Sequence, residues 1–421
     1  MAPQLVAVSI LVALASLFLA SCTEPDVSDA TNAALLTQAQ AIHAAVITID
    51  SHDDISLDFA TDAVDPLNAP RQVSLEKMRQ GGLDVAFFIV YVGQSERTAE
   101  NYAEAKTDAR TKFDAIHRMA EEMYAEHIEI AYSADDVERI REAGKLVAAI
   151  GIENGFVIGQ DLSLLGTYHD LGARYITLAH NGHNDIADSA QHRPQYGDEP
   201  TEHDGVSEFG AQVIAEMNRL GIIVDVSHIS KAAALDAIRL SRAPVIASHS
   251  SVHALADHPR NMDDETLRAL RDNGGVMQTV AFGGYVKIQP AERREARDVL
   301  WTEFGIDSPR DLPDLTPDRR RDFDLRSAEI DARWPPANLQ DFVDHIDYAV
   351  ELIGIDHVGI SSDFDGGGGI VGWNDASETF NVTLELVRRG YYRAEIEKLW
   401  GGNLLRVWRE VEAAAATAAS L

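Results

Sequence analysis

Histidines and carboxylates recur in this chain directly after short apolar runs. Val46-Ile47-Thr48-Ile49 leads into Asp50-Ser51-His52-Asp53-Asp54, and Leu146 to Ile152 leads into Glu153. His180 follows the run ending at Leu178. Asp225-Val226-Ser227-His228 closes the run begun at Ile222, Ser248-His249-Ser250 closes the run begun at Pro244, and Asp363 follows His357 to Ser361. Any one of these alone reads as a hydrogen-bonded structural residue. Six of them (His52, Asp54, Glu153, His228, His249 and Asp363) stand at the ends of five runs, and His180 stands at a sixth. Packing would put Val, Ile or Leu there, and unpartnered buried imidazoles and carboxylates cost roughly several kcal/mol each. A divalent cation removes that cost. Imidazole with carboxylate and no thiolate suits zinc or a similar divalent ion. Four to five ligands exceed what one open catalytic site needs, and a carboxylate can bridge, so room for two such ions is expected. His52 and Asp54, two residues apart on extended chain, point to one side.

The runs themselves say what positions these groups. Eight are found, the remaining two being Leu83 to Val90 and Val276 to Val280, each short and rich in β-branched or aliphatic residues. That is the signature of strands buried on both faces. Helical patterns lie between them, including a long charged one from Ser95 to Ala125 and one whose N-cap is Ser207. Strands alternating with helices predict an α/β fold, a (β/α)8 TIM-type barrel, in which all C-terminal strand ends converge on one face. The alternative, an open doubly wound sheet, lacks its Gly-rich phosphate loop after the first strand. Residues 288–336, dense in Arg, Asp, Glu and Pro, form a long excursion between strands seven and eight and read as a lid over the barrel mouth.

With 45% hydrophobic residues among 421, the chain can bury a large core, and 68 Asp and Glu against 36 Lys and Arg argue against nucleic acid as a partner. The single cysteine, Cys22, excludes a disulfide within the chain. Leu5 to Ala20 is an apolar or small-residue run, and Leu19-Ala20-Ser21-Cys22 resembles the lipobox of bacterial lipoproteins. The run is shorter than the ~20 residues that span a bilayer comfortably. The expected organisation is a signal peptide over residues 1–21, a polar tether over 22–34 beginning at a lipidated Cys22, and the barrel domain over 35–421. The protein is then exported and lipid-anchored to a bacterial membrane, facing the periplasm.

From about Val46 to Val411 the chain resembles the membrane (renal-type) dipeptidases. The resemblance is carried by Asp50-Ser51-His52-Asp53-Asp54, Gly151-Ile152-Glu153, Leu171 to Asn181, Asn218-Arg219-Leu220-Gly221, Ser241 to Ser251, Arg260-Asn261, Ser362 to Gly366, and Gly402-Asn403-Leu404-Leu405-Arg406-Val407. It implies zinc-dependent hydrolysis of small peptides by a metal-bridging hydroxide, including dipeptides with a C-terminal D-residue. His52 and Asp54 would hold one zinc, His228 and His249 the other, and Glu153 would bridge them. His180 would bind the scissile carbonyl and stabilise the oxyanion. Arg260 would bind the substrate's terminal carboxylate, with Tyr285 lining the same pocket, and Asp363 would handle the proton. A homodimer is a further expectation. Asn154 stands where the family usually has a second Gly, and His183-Asn184-Asp185-Ile186 replaces a run of animal members; His183 and Asp185 are read as loop residues. The competing activities are those of a D-aminoacylase or lactonase on the same barrel, which Arg260 disfavours. A non-catalytic solute-binding lipoprotein would leave the histidines unexplained.

Overall fold

The computed structural model describes residues 27–306, 312 and 315–419. Its strands are β1 (Ile49–Asp54), β2 (Val85–Tyr91), β3 (Ile128–Ile130), β4 (Leu146–Glu153), β5 (Ala173–Thr177), β6 (Ile223–Asp225), β7 (Ile246–Ser250), β8 (Val276–Val280) and β9 (Val358–Ser361). The hydrogen-bonded order is β1-β2-β4-β5-β6-β7-β8-β9, every pair parallel, with helices alternating along the chain. The circle closes where the Asp54 amide donates to the Phe364 carbonyl at 2.9 Å, beside a parallel Asp53–Phe364 bridge. The result is the expected (β/α)8 barrel. All eight expected strands are present. The short β3 pairs only with β4, off the path of the barrel, and three residues reading Ile-Glu-Ile carry too little pattern to announce a strand.

Strand alternation divides the apolar residues into two cores. Ile49, Val85, Phe87, Ile89, Val147, Ala149, Tyr175, Ile223, Ile246 and Val276 pack together with Leu404, Leu405, Trp408 and Val411 of the C-terminal helix Asn403–Ala419. The alternate residues, among them Ala86, Phe88, Val90, Ala148, Ile150, Ile152, Ile176, Val224 and Met277, pack in a second core with the helices. Burial on both faces is why these strands read as unbroken apolar runs.

The register is irregular beside three strands that end in site residues. Between Asp50 and Asp53, three residues of β1 span two of β2; similar shifts fall between Ala247 and Ser250 of β7 and between Ile150 and Gly151 of β4. In β1 the shift moves the inward-facing set from Ile49 to His52 and Asp54. The strand therefore runs three residues later than its apolar run alone suggests. Its polar residues are held as strand because they find partners inside the barrel. Asp50 accepts from the Ser362 amide at 2.9 Å, and Ser51 Oγ donates to the Ser248 carbonyl at 2.7 Å.

The excursion between β8 and β9 contains two helices, Ala291–Phe304 and Pro317–Arg333, with a small core of their own made by Leu300, Phe304, Ile306 and Phe323. The helix expected from Ser95 is Ala99–His117, capped by Thr98 Oγ1, and Ser207 is the N-cap of Glu208–Leu220. Helix Val27–His43 starts inside the segment read as a tether. Cys22 and the expected signal peptide lie outside the described residues.

Candidate active site

Glu153 is the last residue of β4 and the centre of the cluster. Its Oε2 lies 3.6 Å from His52 Nε2 of β1. Its Oε1 lies 3.0 Å from His228 Nε2, 3.4 Å from His249 Nε2 and 3.8 Å from His180 Nε2. The two carboxylate oxygens therefore face different histidines. Asp54 Oδ2 stands 3.8 Å from His52 Nε2. Ligand atoms of three groups lie within 4.8 Å of one another: His52, Glu153 and His249; Glu153, His180 and His228; His52, Asp54 and Asp363. Every residue expected to ligate metal is thus brought to one place, with His180 and Asp363 at its edges.

The outer nitrogen of each inner histidine settles what its inner nitrogen can do. His52 Nδ1 lies 2.9 Å from Tyr175 Oη, which spends its own hydrogen on the Ser51 carbonyl at 2.9 Å. His249 Nδ1 lies 2.8 Å from Ser248 Oγ, whose hydrogen goes to Asp225 Oδ2 at 2.6 Å. His228 Nδ1 lies 3.3 Å from the amide oxygen of Asn181. In each case Nδ1 is the donor, so Nε2 carries a lone pair. Three lone pairs then converge on Glu153. His228 Nε2 and His249 Nε2 face each other at 2.7 Å, and buried His52 Nε2 has no hydrogen-bond partner. Such an array suits a cation among the three nitrogens, and the donor set matches a divalent metal that accepts nitrogen and oxygen.

The backbone is shaped for this. His228 (φ 68°), Asp363 (φ 59°) and Asn154 (φ 84°) adopt the left-handed region, which costs roughly 1–3 kcal/mol per residue and is found where function over-determines the chain. Asn154 tolerates the conformation of the expected glycine and uses its side chain, donating to the Val92 carbonyl at 3.2 Å and accepting from the Phe156 amide at 3.1 Å. Gly151 is required for another reason: a Cβ there would lie 2.3 Å from the Tyr175 ring, and would displace the residue that orients His52.

Charge follows geometry. Burial alone would raise the Glu153 carboxyl, but the histidines around it, His180 and His52 foremost, hold it well below the usual carboxylate range. Burial pushes His228 and His249 well down and lowers His180, which keeps them neutral. Burial also raises Asp363 well above an ordinary carboxyl; His52 opposes this, while Asp54 and Glu153 add to it. One carboxyl is thus held ionised and its neighbour is biased towards keeping a proton.

The cluster opens into a cavity of about 610 Å³, lined on one side by Tyr91 and Lys112 and on the other by Phe282 and Tyr285. Arg260 lies behind Tyr285, its guanidinium 5.2 Å from the ring centre. Its Nη2 donates to the His249 carbonyl at 3.0 Å, and its buried Nε has no partner. No described residue of the 288–336 excursion lines this cavity. Residues before and within it, Lys287, Arg293, Arg294 and Arg297 among them, instead wall a neighbouring cavity of about 620 Å³ that shares Phe282 and Tyr285. The described part of the excursion therefore borders this neighbouring cavity and is held by its own small core. His183 and Asp185 brace the loop, as expected: the His183 amide donates to Asp198 at 2.8 Å, and Asp185 accepts from Tyr102 and Gln160. Tyr175, Asn181, Lys112 and Tyr91 were not singled out from sequence, since each acquires its role only by contact with a residue far along the chain.

A closed parallel barrel with a histidine and carboxylate cluster at its strand ends defines a barrel protein built to hold metal at its mouth. Residues 36–420 match the family described as membrane dipeptidase (peptidase family M19), and the chain belongs to that family; it is a metallo-dipeptidase. Dipeptidase ataJ of Aspergillus terreus is 34% identical over 406 residues, covering 90% of this chain and 87% of its own. Dipeptidase tcpJ of Claviceps purpurea is 33% identical over 350 residues, 82% of this chain and 70% of its own. The probable dipeptidase PvdM of Pseudomonas aeruginosa superposes with a TM-score of 0.80 at 34% identity, over 91% of this chain and 100% of that one. The alternatives of a D-aminoacylase, a lactonase or a solute-binding lipoprotein give way to this membership.

Proposed function

We propose that the protein hydrolyses dipeptides bearing a free C-terminal carboxylate, with two zinc ions held by His52, Asp54, Glu153, His228 and His249. The observation that carries this is the convergence of three histidine lone pairs on a carboxylate whose two oxygens face opposite ways. His52 with Asp54 would hold one ion and His228 with His249 the other, with Glu153 between the two halves of the set. Zinc bound there would supply an acidified water and polarise the scissile carbonyl. The chain's own residues do the rest. His180, kept neutral by burial, offers an N–H to the oxyanion. Asp363 takes a proton at its carboxyl, where burial favours it, and delivers it to the departing amine. Arg260, with an unspent Nε–H, takes the substrate carboxylate beside Tyr285. Carbonyl and carboxylate are then both held, and neither contact reads the configuration of the Cα between them, so C-terminal D-residues are substrates as well.

The Leu-Ala-Ser-Cys run supports export and lipid attachment at Cys22, with the chain facing the periplasm. No helix among the described residues is long and apolar enough to cross a membrane. The deciding experiment measures bound metal by elemental analysis, then screens L,L- and L,D-dipeptides after chelation and after zinc is added back. Two zinc ions per chain and activity restored by zinc are expected. A folded, active protein without metal would refute the assignment.

A further inference from the structure

Lys112 is a cation placed where packing alone would put an apolar residue. It lies on helix Ala99–His117 and is only 5% exposed. Its ammonium sits 5.4 Å from the centre of the Tyr91 ring and lines the catalytic cavity. Among the described residues it makes no hydrogen bond or ion pair. The carboxylates around it are Asp54, Glu153 and Asp108, and Arg71 adds a second positive charge. Asp54 and Glu153 belong to the metal-ligand set, so their charge is already committed. The stem of the side chain is buried and its ammonium meets the cavity, where a bound anionic group can become its partner.

The barrel order says where that partner would come from. Lys112 follows β2 and Arg260 follows β7, and these two strands are diametrically opposed in the eight-membered circle. A dipeptide with its C-terminal carboxylate at Arg260 and its scissile carbonyl at the metal site beside His180 extends its N-terminal residue across the mouth towards Lys112. The α-ammonium of that residue has the same sign as Lys112, so what Lys112 attracts is a group further out. We propose that Lys112 is the specificity determinant for the N-terminal position and selects dipeptides whose N-terminal side chain carries a carboxylate. The assignment rests on the dipeptidase reading above and adds a substrate class to it. An anionic side chain there would give Lys112 the direct charge-assisted partner that it lacks among the described residues.

The test compares Glu-Ala with Gln-Ala, which differ only in the charge of the N-terminal side chain, on the zinc-loaded full-length enzyme. Wild type should prefer Glu-Ala in kcat/KM by on the order of tenfold or more, as befits one charge-assisted contact. Lys112→Met should abolish that ratio, and Lys112→Arg should keep part of it. Metal content is measured on each variant. Wild type cleaving both peptides equally well overturns the Lys112 assignment alone, and it does so whether or not the methionine variant folds. A methionine variant that loses both activities by one factor, in step with lost zinc, also overturns it, because Lys112 would then serve the metal ligands. Failure of wild type to cleave any dipeptide would overturn the underlying reading and the assignment with it.

Discussion

The two ends of this barrel are built on opposite principles. At the N-terminal end the strands close over Leu404, Leu405, Trp408 and Val411 of the last helix, all nearly unexposed and all apolar. At the C-terminal end the same strands finish in His52, Glu153 and His249, buried to a similar degree but made of groups that resist burial. One end lowers the free energy of folding by removing apolar surface from water. The other draws on that stability to hold like-charged carboxylates close together and three residues in left-handed backbone. Stability and function are thus separated along the strand axis, as the barrel architecture permits.

The largest effect that would sharpen this contrast lies at the charged end. Glu153→Gln should lose metal and activity together, because a neutral amide bridges two cations poorly. Asp363→Asn should keep its metal while kcat falls by ~10²–10⁴, the usual cost of removing a general acid or base. Asp363→Asn should not lower the melting temperature, since asparagine suits the left-handed backbone at 363, whereas Glu153→Gln should lower it by the stabilisation that bound metal supplies. Elemental analysis, kcat and thermal unfolding on the two variants separate the roles. An Asp363→Asn protein without metal would move that residue into the ligand set.

At the apolar end the expectation is reversed. Trp408 is fully buried against Phe87 at 5.8 Å between ring centres. Trp408→Ala should cost about 3–5 kcal/mol of stability through the cavity it leaves. The fraction that remains folded should keep its metal content and its KM, measured well below the lowered melting temperature. A changed KM with unchanged stability would break the separation of the two ends.

The smallest effect concerns the wall beside Tyr285. Arg260→Ala should lower kcat/KM for a dipeptide acid on the order of 10²-fold, since a charge-assisted pair is worth roughly 1.5–3 kcal/mol and misalignment adds to the loss. The corresponding dipeptide amide never had the contact, so the ratio of acid to amide should collapse. Equal losses for both would assign Arg260 to support of the His249 carbonyl, which it already touches at 3.0 Å.

What the amino-acid sequence determined by itself is what is local. Each strand of the barrel circle is announced by its own apolar run, and the candidate ligand residues follow these runs within a few residues, so the barrel, the place of the site and the reaction class were legible without coordinates. The partners that hold β1 through its five polar residues were not, because Asp50 and Ser51 are tied to Ser362 and Ser248, about 310 and 200 residues away. Nor was the position of the excursion, which depends on a core it makes with itself. The tertiary structure alone decided which nitrogen each histidine offers, since Tyr175, Ser248 and Asn181 choose it through hydrogen bonds that fold the chain back on itself. It also decided that Lys112, one lysine among the charges of a long helix, faces the catalytic cavity. A hydrophobic pattern is written along the chain with the period of its own backbone, whereas a tautomer or a buried charge is set by neighbours that only the closed barrel brings together.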